Sequence, residues 1–385
     1  MILGIHMALL IGPGVPLPAP YSLAESLSSV TVTQSETGRS VFSLTFQVGR
    51  SGVLELIDSP LVAHPLLEPM NRVIIVVVFN ATPRVLADGL ITQRSFQPSE
   101  DPGRSTLTVT CEDVSLSMDL IALKMPHPSM DEMTRVSLIL ARYSFFWGGL
   151  PPIVIPPASL DFPVVTSEIP AQAGTDLEYV RTLASRFNYV FFVKPGPLPG
   201  QNAAYWGPLP RVGFPQRALS INMGPFSNLE SLTFQQNALA PMAIADVVPG
   251  PRNMTVPVIV PMSIRVPLAA RPSIPFRTEL SGSAGITGET DSEVGLSYAR
   301  TLVRAQSRVN RSHDDVVTAS GTLDALQYGD ILEPRGLVGV RGAGLIHDGL
   351  YYVKSVTHNI GRGTYKQNFQ LSREGTISYT PVVRP

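Results

Sequence analysis

The side chains best suited to chemistry in this sequence are its six histidines, His6, His64, His127, His313, His347 and His358. A histidine works as a metal ligand or a general base, but either task needs partners at a fixed spacing. None of the six stands in an HExxH or HxH arrangement. The adjacent His313, Asp314 and Asp315 read as a loop after a helix rather than as a ligand set. Glu112 and Asp113 are neighbours at a strand end, and successive strand residues point to opposite faces, so they make a poor acid and base couple. Gly339, Gly342 and Gly344 in GVRGAG superficially match a dinucleotide loop, yet the pattern breaks at His347 and no helix follows. Tight turns between strands account for these glycines. There is no GxSxG elbow, phosphate loop or CxxC, and the single cysteine, Cys111 in TLTVTCEDV, reads as a small buried filler. No catalytic, cofactor-binding or metal residue is assigned, and function has to be sought in the elements themselves.

The chain has 385 residues, enough for two or three packed units. Lys+Arg number 29 and Asp+Glu 30, a net charge of −1 that offers no global field for nucleic acid or an anionic membrane. Charged residues make up only 15%, against about 25% in an average soluble protein. Scarcity of solvent-facing charge predicts a surface largely covered by other subunits, because interface cores are depleted of charge. The 31 glycines and 36 prolines predict many turns and short strands. The apolar start, MILGIHMALLIG, lacks a basic leading region and stops at Gly12 and Pro13, short of the ~20 residues that span a bilayer. It reads as an arm or strand, residues 1–20, that docks on protein.

Alternation at period two predicts half-buried strands between Leu27 and Ile57, with Val30, Val32, Phe42, Leu44, Phe46 and Val48 on the apolar side. Val73 to Phe79, VIIVVVF, is apolar on both faces and predicts a central strand. VLADGLITQRSF and STLTVTCEDVSLSM follow as antiparallel strands. Met133, Val136, Ile139 and Leu140 have helical spacing and predict one helix between Ser129 and Phe145, then a proline-rich linker that joins no ladder. In GTDLEYVRTLASRFNYVFFV, Thr175 and Glu178 have capping-box spacing, Leu177, Val180, Leu183, Ala184 and Phe187 form a buried stripe, and Asn188 can end the helix before a strand from Tyr189. Thr290 and Glu293 repeat that spacing before a helix from Ser292 to about Arg311. From Val316 the sequence returns to strands and glycine turns, and in the last hairpin Tyr365, Phe369 and Leu371 fall on one face with Lys366, Asn368 and Gln370 on the other.

Two of these regions resemble a known family. GTDLEYVRTLASRFNYVFFVKPGP, with Thr175, Asp176, Glu178, Leu183, Asn188 and Tyr189, is similar to a segment of the phage late control D and baseplate-hub family, Asn188 standing where a glycine is usual. DGLYYVKSVTHNIGRGTYKQNFQLSREG, with Gly349, Tyr352, Val353, His358, Tyr365, Phe369 and Leu371, resembles its closing hairpin. The resemblance implies a mainly β fold with an α+β insert: a first tube-like antiparallel β-barrel over 21–125, a helix and linker over 126–160, a small α/β insert over 161–250 lending strands to the second barrel, a linker and helix over 251–315, and a second tube-like β-barrel over 316–385. It further implies a non-enzymatic homotrimer, a hub of a contractile injection system whose two related barrels per chain build a pseudo-sixfold ring. That ring would meet a central spike protein, an inner tube protein ring and other baseplate components, with no nucleic acid, no cofactor and no membrane in the resting state. Such a particle is assembled in the bacterial cytoplasm without a signal peptide and can be released. The alternatives are a tail-associated cell-wall hydrolase, for which no placed acid and base is found, and a glycan-binding tail protein, disfavoured by only two tryptophans, Trp147 and Trp206.

Overall fold

The VIIVVVF run is a strand in the middle of a sheet, Arg72–Phe79, with every residue buried except the half-buried Val78. It lies in a computed structural model that describes residues 6–48, 61–79, 81–99, 104–157, 170–249, 255–281 and 298–379. The fold is β-rich α+β. One sheet of thirteen strands dominates it. Twelve of them are β1 (His6–Gly12), β2 (Leu27–Ser35), β3 (Val41–Val48), β4 (Arg72–Phe79), β5 (Thr82–Gln97), β6 (Ser105–Asp113), β7 (Gln216–Ser220), β8 (Ser231–Gln236), β9 (Val317–Asp324), β10 (Leu337–Arg341), β11 (Gly349–Gly361) and β12 (Thr364–Arg373). The thirteenth, Leu17–Pro18, pairs with β1.

The hydrogen-bonded order contains the same arrangement twice. In the first half it runs β2-β3-β6-β5-β4-β1, and in the second β8-β9-β12-β11-β10-β7, so each strand finds its counterpart six numbers on. Even an irregularity repeats: Thr92 bulges out of the β5–β6 register between Ile91 and Gln93, and Lys354 bulges out of β11–β12 between Val353 and Ser355. The counterparts differ at the last strand, because β1 is antiparallel to β4 whereas β7 is parallel to β10. They also differ at one turn. Residues 36–40 join β2 to β3, but residues 237–316 separate β8 from β9 and carry a three-stranded sheet and the helix Tyr298–Asp314.

Two tube-like antiparallel β-barrel domains were the expectation, and the mainly β class with an α/β insert is what the structure has. Among the described residues the two halves instead share one open path, joined where β2 pairs antiparallel with β11 from Ser35↔Ser355 to Ser29↔Gly361. The physical reason is that β11 is long enough to take two neighbours along one edge, β10 at Gly349–Tyr352 and β2 beyond the bulge. The apolar sides of the halves form two cores, and Ile360 and Tyr365 of the second half pack into the core of the first.

A separate group of elements forms a small α/β unit. Helix Asp176–Arg186 packs on the strands Tyr189–Pro195 and Asn202–Pro208 around Val136, Ile139, Leu140, Trp147, Leu183 and Trp206. Several expectations need correction here. The single helix between Ser129 and Phe145 is Glu132–Arg142 followed by a separate turn Ser144–Trp147, broken at Tyr143. Ile153 and Val154, flanked by prolines but themselves able to donate, do join a ladder, parallel to Tyr205 and Trp206. The run of strands expected from Val316 is interrupted after β9, where Asp324 accepts from the amides of Leu326 and Gln327 and Ala325–Tyr328 is a helical turn. The expected strand as far as Ile57 and the capping pair Thr290 and Glu293 lie outside the described residues.

Candidate assembly surface

The helix that carries the first signature begins with a complete capping box. Thr175 Oγ1 accepts from the Glu178 amide at 3.2 Å, and Glu178 Oε2 accepts from the Thr175 amide at 3.1 Å. Asp176 is buried and accepts from Gln172 Nε2 (2.7 Å) and the Tyr143 hydroxyl (2.8 Å), which fastens the helix start to two other elements. Burial and the Asp176 carboxylate together raise the Tyr143 hydroxyl pKa. Leu183 is wholly buried. Asn188 has φ 55°, the left-handed turn its side chain tolerates, and the Tyr189 hydroxyl reaches the Pro156 carbonyl at 3.1 Å. These contacts hold the α/β unit together.

The second signature is β11 and β12. Tyr352, Val353, Tyr365, Phe369 and Leu371 are buried, while Lys366, Asn368 and Gln370 are exposed. Gly349 has φ 127°, and a Cβ there would sit 2.7 Å from Ser378 Oγ. His358 occupies a core position, and its hairpin satisfies Nδ1: the Tyr365 hydroxyl donates to that nitrogen at 2.9 Å and Gln367 Nε2 donates at 3.1 Å, whereas buried Nε2 has no partner among the described residues. Gln367 is oriented by the Leu332 amide, which donates to its Oε1 at 3.0 Å. Nδ1 is therefore the acceptor, the proton of the neutral ring sits on Nε2, and burial pulls the pKa down to about 3.

The junction between the halves is knitted by side chains as well as backbone. Thr33 and Thr357 bring their hydroxyls to 3.3 Å, and Thr31 Oγ1 lies 3.5 Å from Asn359 Oδ1. Lys354, pushed outward by the bulge, pairs with Asp315 at 2.7 Å and Glu36 at 3.6 Å. Arg335 sits over the Phe192 ring at 4.1 Å, donates to the Ser35 carbonyl, and is lowered by burial to about 10.

The face of the sheet opposite the core is largely polar, with charges at the ends of its rows: Asp324 faces Lys366, and Glu112, paired with Arg39, lies beyond Thr33 and Val41. One row across it reads Ser231, Thr322, Asn368, Thr357, Thr33, and the next reads Lys366, Asn359, Thr31, Ser43, Thr110, Gln93, each residue facing the next in register. Lys366 is neutralised by Glu230 at 2.8 Å. Hydroxyls and amides in such numbers satisfy water without presenting a field.

Four of the residues weighed first for chemistry make structural contacts. Asp113 is buried and accepts from the amides of Ser40 and Ser115, whereas Glu112 faces the other way and pairs with Arg39. His313 Nδ1 meets the Val309 carbonyl, and Asp314 is shared by Arg211 and Arg265. Among the described residues no group of three or more His, Cys, Asp or Glu could hold a metal ion, and no helix is long and apolar enough to cross a membrane. What sequence reasoning missed is the pairing of β2 with β11. A signal existed: the inward phase Tyr351, Val353 slips by one residue to Val356, His358, Ile360, which is what a bulge does to a period of two.

No protein-family profile and no curated protein sequence matches this chain. Solved structures do. A tail protein from Neisseria meningitidis MC58 is 11% identical with a TM-score of 0.63, covering 97% of this chain and 98% of its own. The 43 kDa tail protein of prophage MuSo2 from Shewanella oneidensis is 12% identical with a TM-score of 0.64, over 96% and 99% of the two chains. An E. coli component of the type VI secretion system, described as structurally similar to the T4 bacteriophage tail proteins gp27 and gp5, is 12% identical with a TM-score of 0.57, over 94% and 78%. The chain shares the fold of these proteins from end to end.

Proposed function

We propose that the chain is a structural, non-enzymatic hub of a contractile-injection baseplate, a homotrimer forming a pseudo-sixfold ring between a threefold central spike and a sixfold inner tube. The observation that carries this reading is the repeated strand order: a threefold object meets a sixfold one only if each chain offers two near-equivalent units, and β1–β6 and β7–β12 are two such units. The fold shared with phage tail proteins and a type VI secretion component supports the setting. The largely polar face supports a channel wall, and scarce surface charge supports extensive subunit contacts. In this reading the late control D and hub family is the chain's own, its further partners are the other baseplate components, and assembly precedes any release of the particle from the bacterial cytoplasm. The 21–125 region, with strand β1 lent by the 1–20 arm, and the 316–385 region, with strands β7 and β8 lent by the 161–250 segment, are its two ring units. Light-scattering mass of the purified chain tests it. A species three times the 41.5 kDa chain mass, with a threefold ring in electron micrographs, is expected; a monomer that persists at all concentrations and with spike and tube proteins present defeats it.

A further inference from the structure

The internal repeat leaves two strand edges without a counterpart's partner, and they are complementary. At the intrachain junction the second strand of one unit, β2, lies on the far part of the fifth strand of the other, β11, past its bulge. Each unit owns one such strand of each kind. The junction consumes β2 and β11, so β8 and the part of β5 past Thr92 remain. Among the described strands β8 pairs only with β9, and β5 past Thr92 pairs only with β6, Ile91 still exchanging backbone hydrogen bonds with Met70 and Asn71.

Among the described residues no strand or helix guards either edge, and at the β5 edge Arg94 Nη1 donates to the Val62 carbonyl at 3.3 Å. Exposed strand edges are ordinarily protected by lysine, proline or a covering element. β8, SLTFQQ, has no charged residue and no proline, and Gln93 to Gln97, QRSFQ, has one arginine. Phe96 is 43% exposed on this edge strand. Two unguarded, unlike edges on one chain form a head-to-tail contact, which closes into a ring when the rotation permits.

We infer that β8 of one copy pairs antiparallel with the Gln93–Gln97 segment of β5 in the next copy, in the register of the intrachain junction. This rests on the ring reading and adds its seam. The equivalences follow from the shared bulge and ladders. Ser95 and Gln97 correspond to Thr357 and Asn359, because Gln93 and Ser355 each follow the bulge. Thr233 and Gln235 correspond to Thr31 and Thr33, because Ser43 and Ser320 hold equal places opposite them. Since Thr33 faces Thr357 and Thr31 faces Asn359, Gln235 faces Ser95 of the next copy and Thr233 faces its Gln97. Phe234 then faces Phe96, as Val32 faces His358.

The test is a cysteine pair across the seam. The Thr33 and Thr357 hydroxyls lie 3.3 Å apart, so side chains at the equivalent places are within disulfide reach. Gln235→Cys with Ser95→Cys, oxidised in the full chain, should convert most of the protein to a reductant-sensitive species of three chain masses on a denaturing gel. Thr33→Cys with Thr357→Cys should close within one chain without changing the mass class. Gln235→Cys with Phe96→Cys, which places the second thiol on the opposite face, should crosslink at least tenfold less. As a second readout, Gln235→Lys with Ser95→Lys should raise the concentration needed for assembly at least tenfold, and Gln235→Glu with Ser95→Lys should restore it. An assembled oligomer without the crosslink overturns the seam and leaves the ring standing; a chain that stays monomeric before any substitution overturns both.

Discussion

His358 gives the junction an acid sensitivity that can be worked out from its surroundings. Burial holds its folded pKa near about 3, against 6.5 for the free side chain. Between those values the unfolded chain binds a proton that the folded chain refuses, so stability is complete above pH 6.5 and is lost progressively as pH falls toward 3. The loss is about 1.4 kcal/mol per pH unit, or about 2 kcal/mol at pH 5. His127 and His347 are also lowered by burial and add to the acid sensitivity, while Glu36, raised by burial, acts in the opposite sense. All three titrate equally in a His358 variant, so a difference measurement isolates the one residue. His358→Gln keeps an acceptor for Tyr365 and Gln367 and removes the titration. Urea unfolding by circular dichroism at pH 7.5 and pH 5.0 should show the native protein losing about 2 kcal/mol more than the variant between the two conditions. Equal losses would refute the assignment of a neutral, unprotonated His358 to the folded state.

Leu183 is enclosed by Trp147, Trp206 and the helix Glu132–Arg142, which cannot easily collapse into a void, so Leu183→Ala should cost about 3 to 5 kcal/mol in urea unfolding followed by tryptophan fluorescence. A loss under about 1 kcal/mol would place that side chain at a surface instead. Gly342 has φ 86°, and a Cβ there would stand 1.9 Å from the Ile221 carbonyl oxygen. Gly342→Ala should therefore destabilise the β7–β10 end of the sheet by about 2 kcal/mol or more, read as faster amide exchange in Leu337–Arg341, with Gly344→Ala, where nothing lies within 4 Å, showing the smaller effect of backbone strain alone.

The elements were legible where side-chain physics is local. Seven β-branched and aromatic residues in VIIVVVF suit only a pleated strand covered on both sides, and Thr175 with Glu178 close a capping box whatever the rest of the chain does. Alternation in β12 gave its inward face because a period of two is geometric. Strand partners were not legible, since alternation fixes the face a residue looks toward and not the strand beside it. β7 and β8 are short, and β8 leaves its Leu232 and Phe234 only half-buried, so neither has a strong apolar pattern. His358 and Gln367 occupy inward positions that sequence alone counts as polar breaks. They belong in the core because Gln367 Nε2 donates to His358 Nδ1, a contact that exists only once the hairpin has formed.

The repeated bulge explains how one chain can be both a closed design and an open one. A strand that serves two neighbours along a single edge has to turn away from the first before it meets the second, and an extra residue supplies that bend with added twist. In β11 the bend is used: Gly349–Tyr352 lie on β10, Lys354 bulges, and Ser355–Gly361 lie on β2. In β5 the same bend occurs at Thr92, after Thr82–Leu90 lie on β4. Past it, among the described residues, the edge of Gln93–Gln97 that β11 gives to β2 pairs with no strand. A bulge interrupts ladder hydrogen bonds and leaves a residue unpaired, so one that serves nothing weakens the sheet. Its presence in both units is best explained by both serving the same purpose, one inside the chain and one between chains. Arg94 and Phe96, carried by that bend to the core side of the sheet, are then the residues whose surroundings should change most when copies meet.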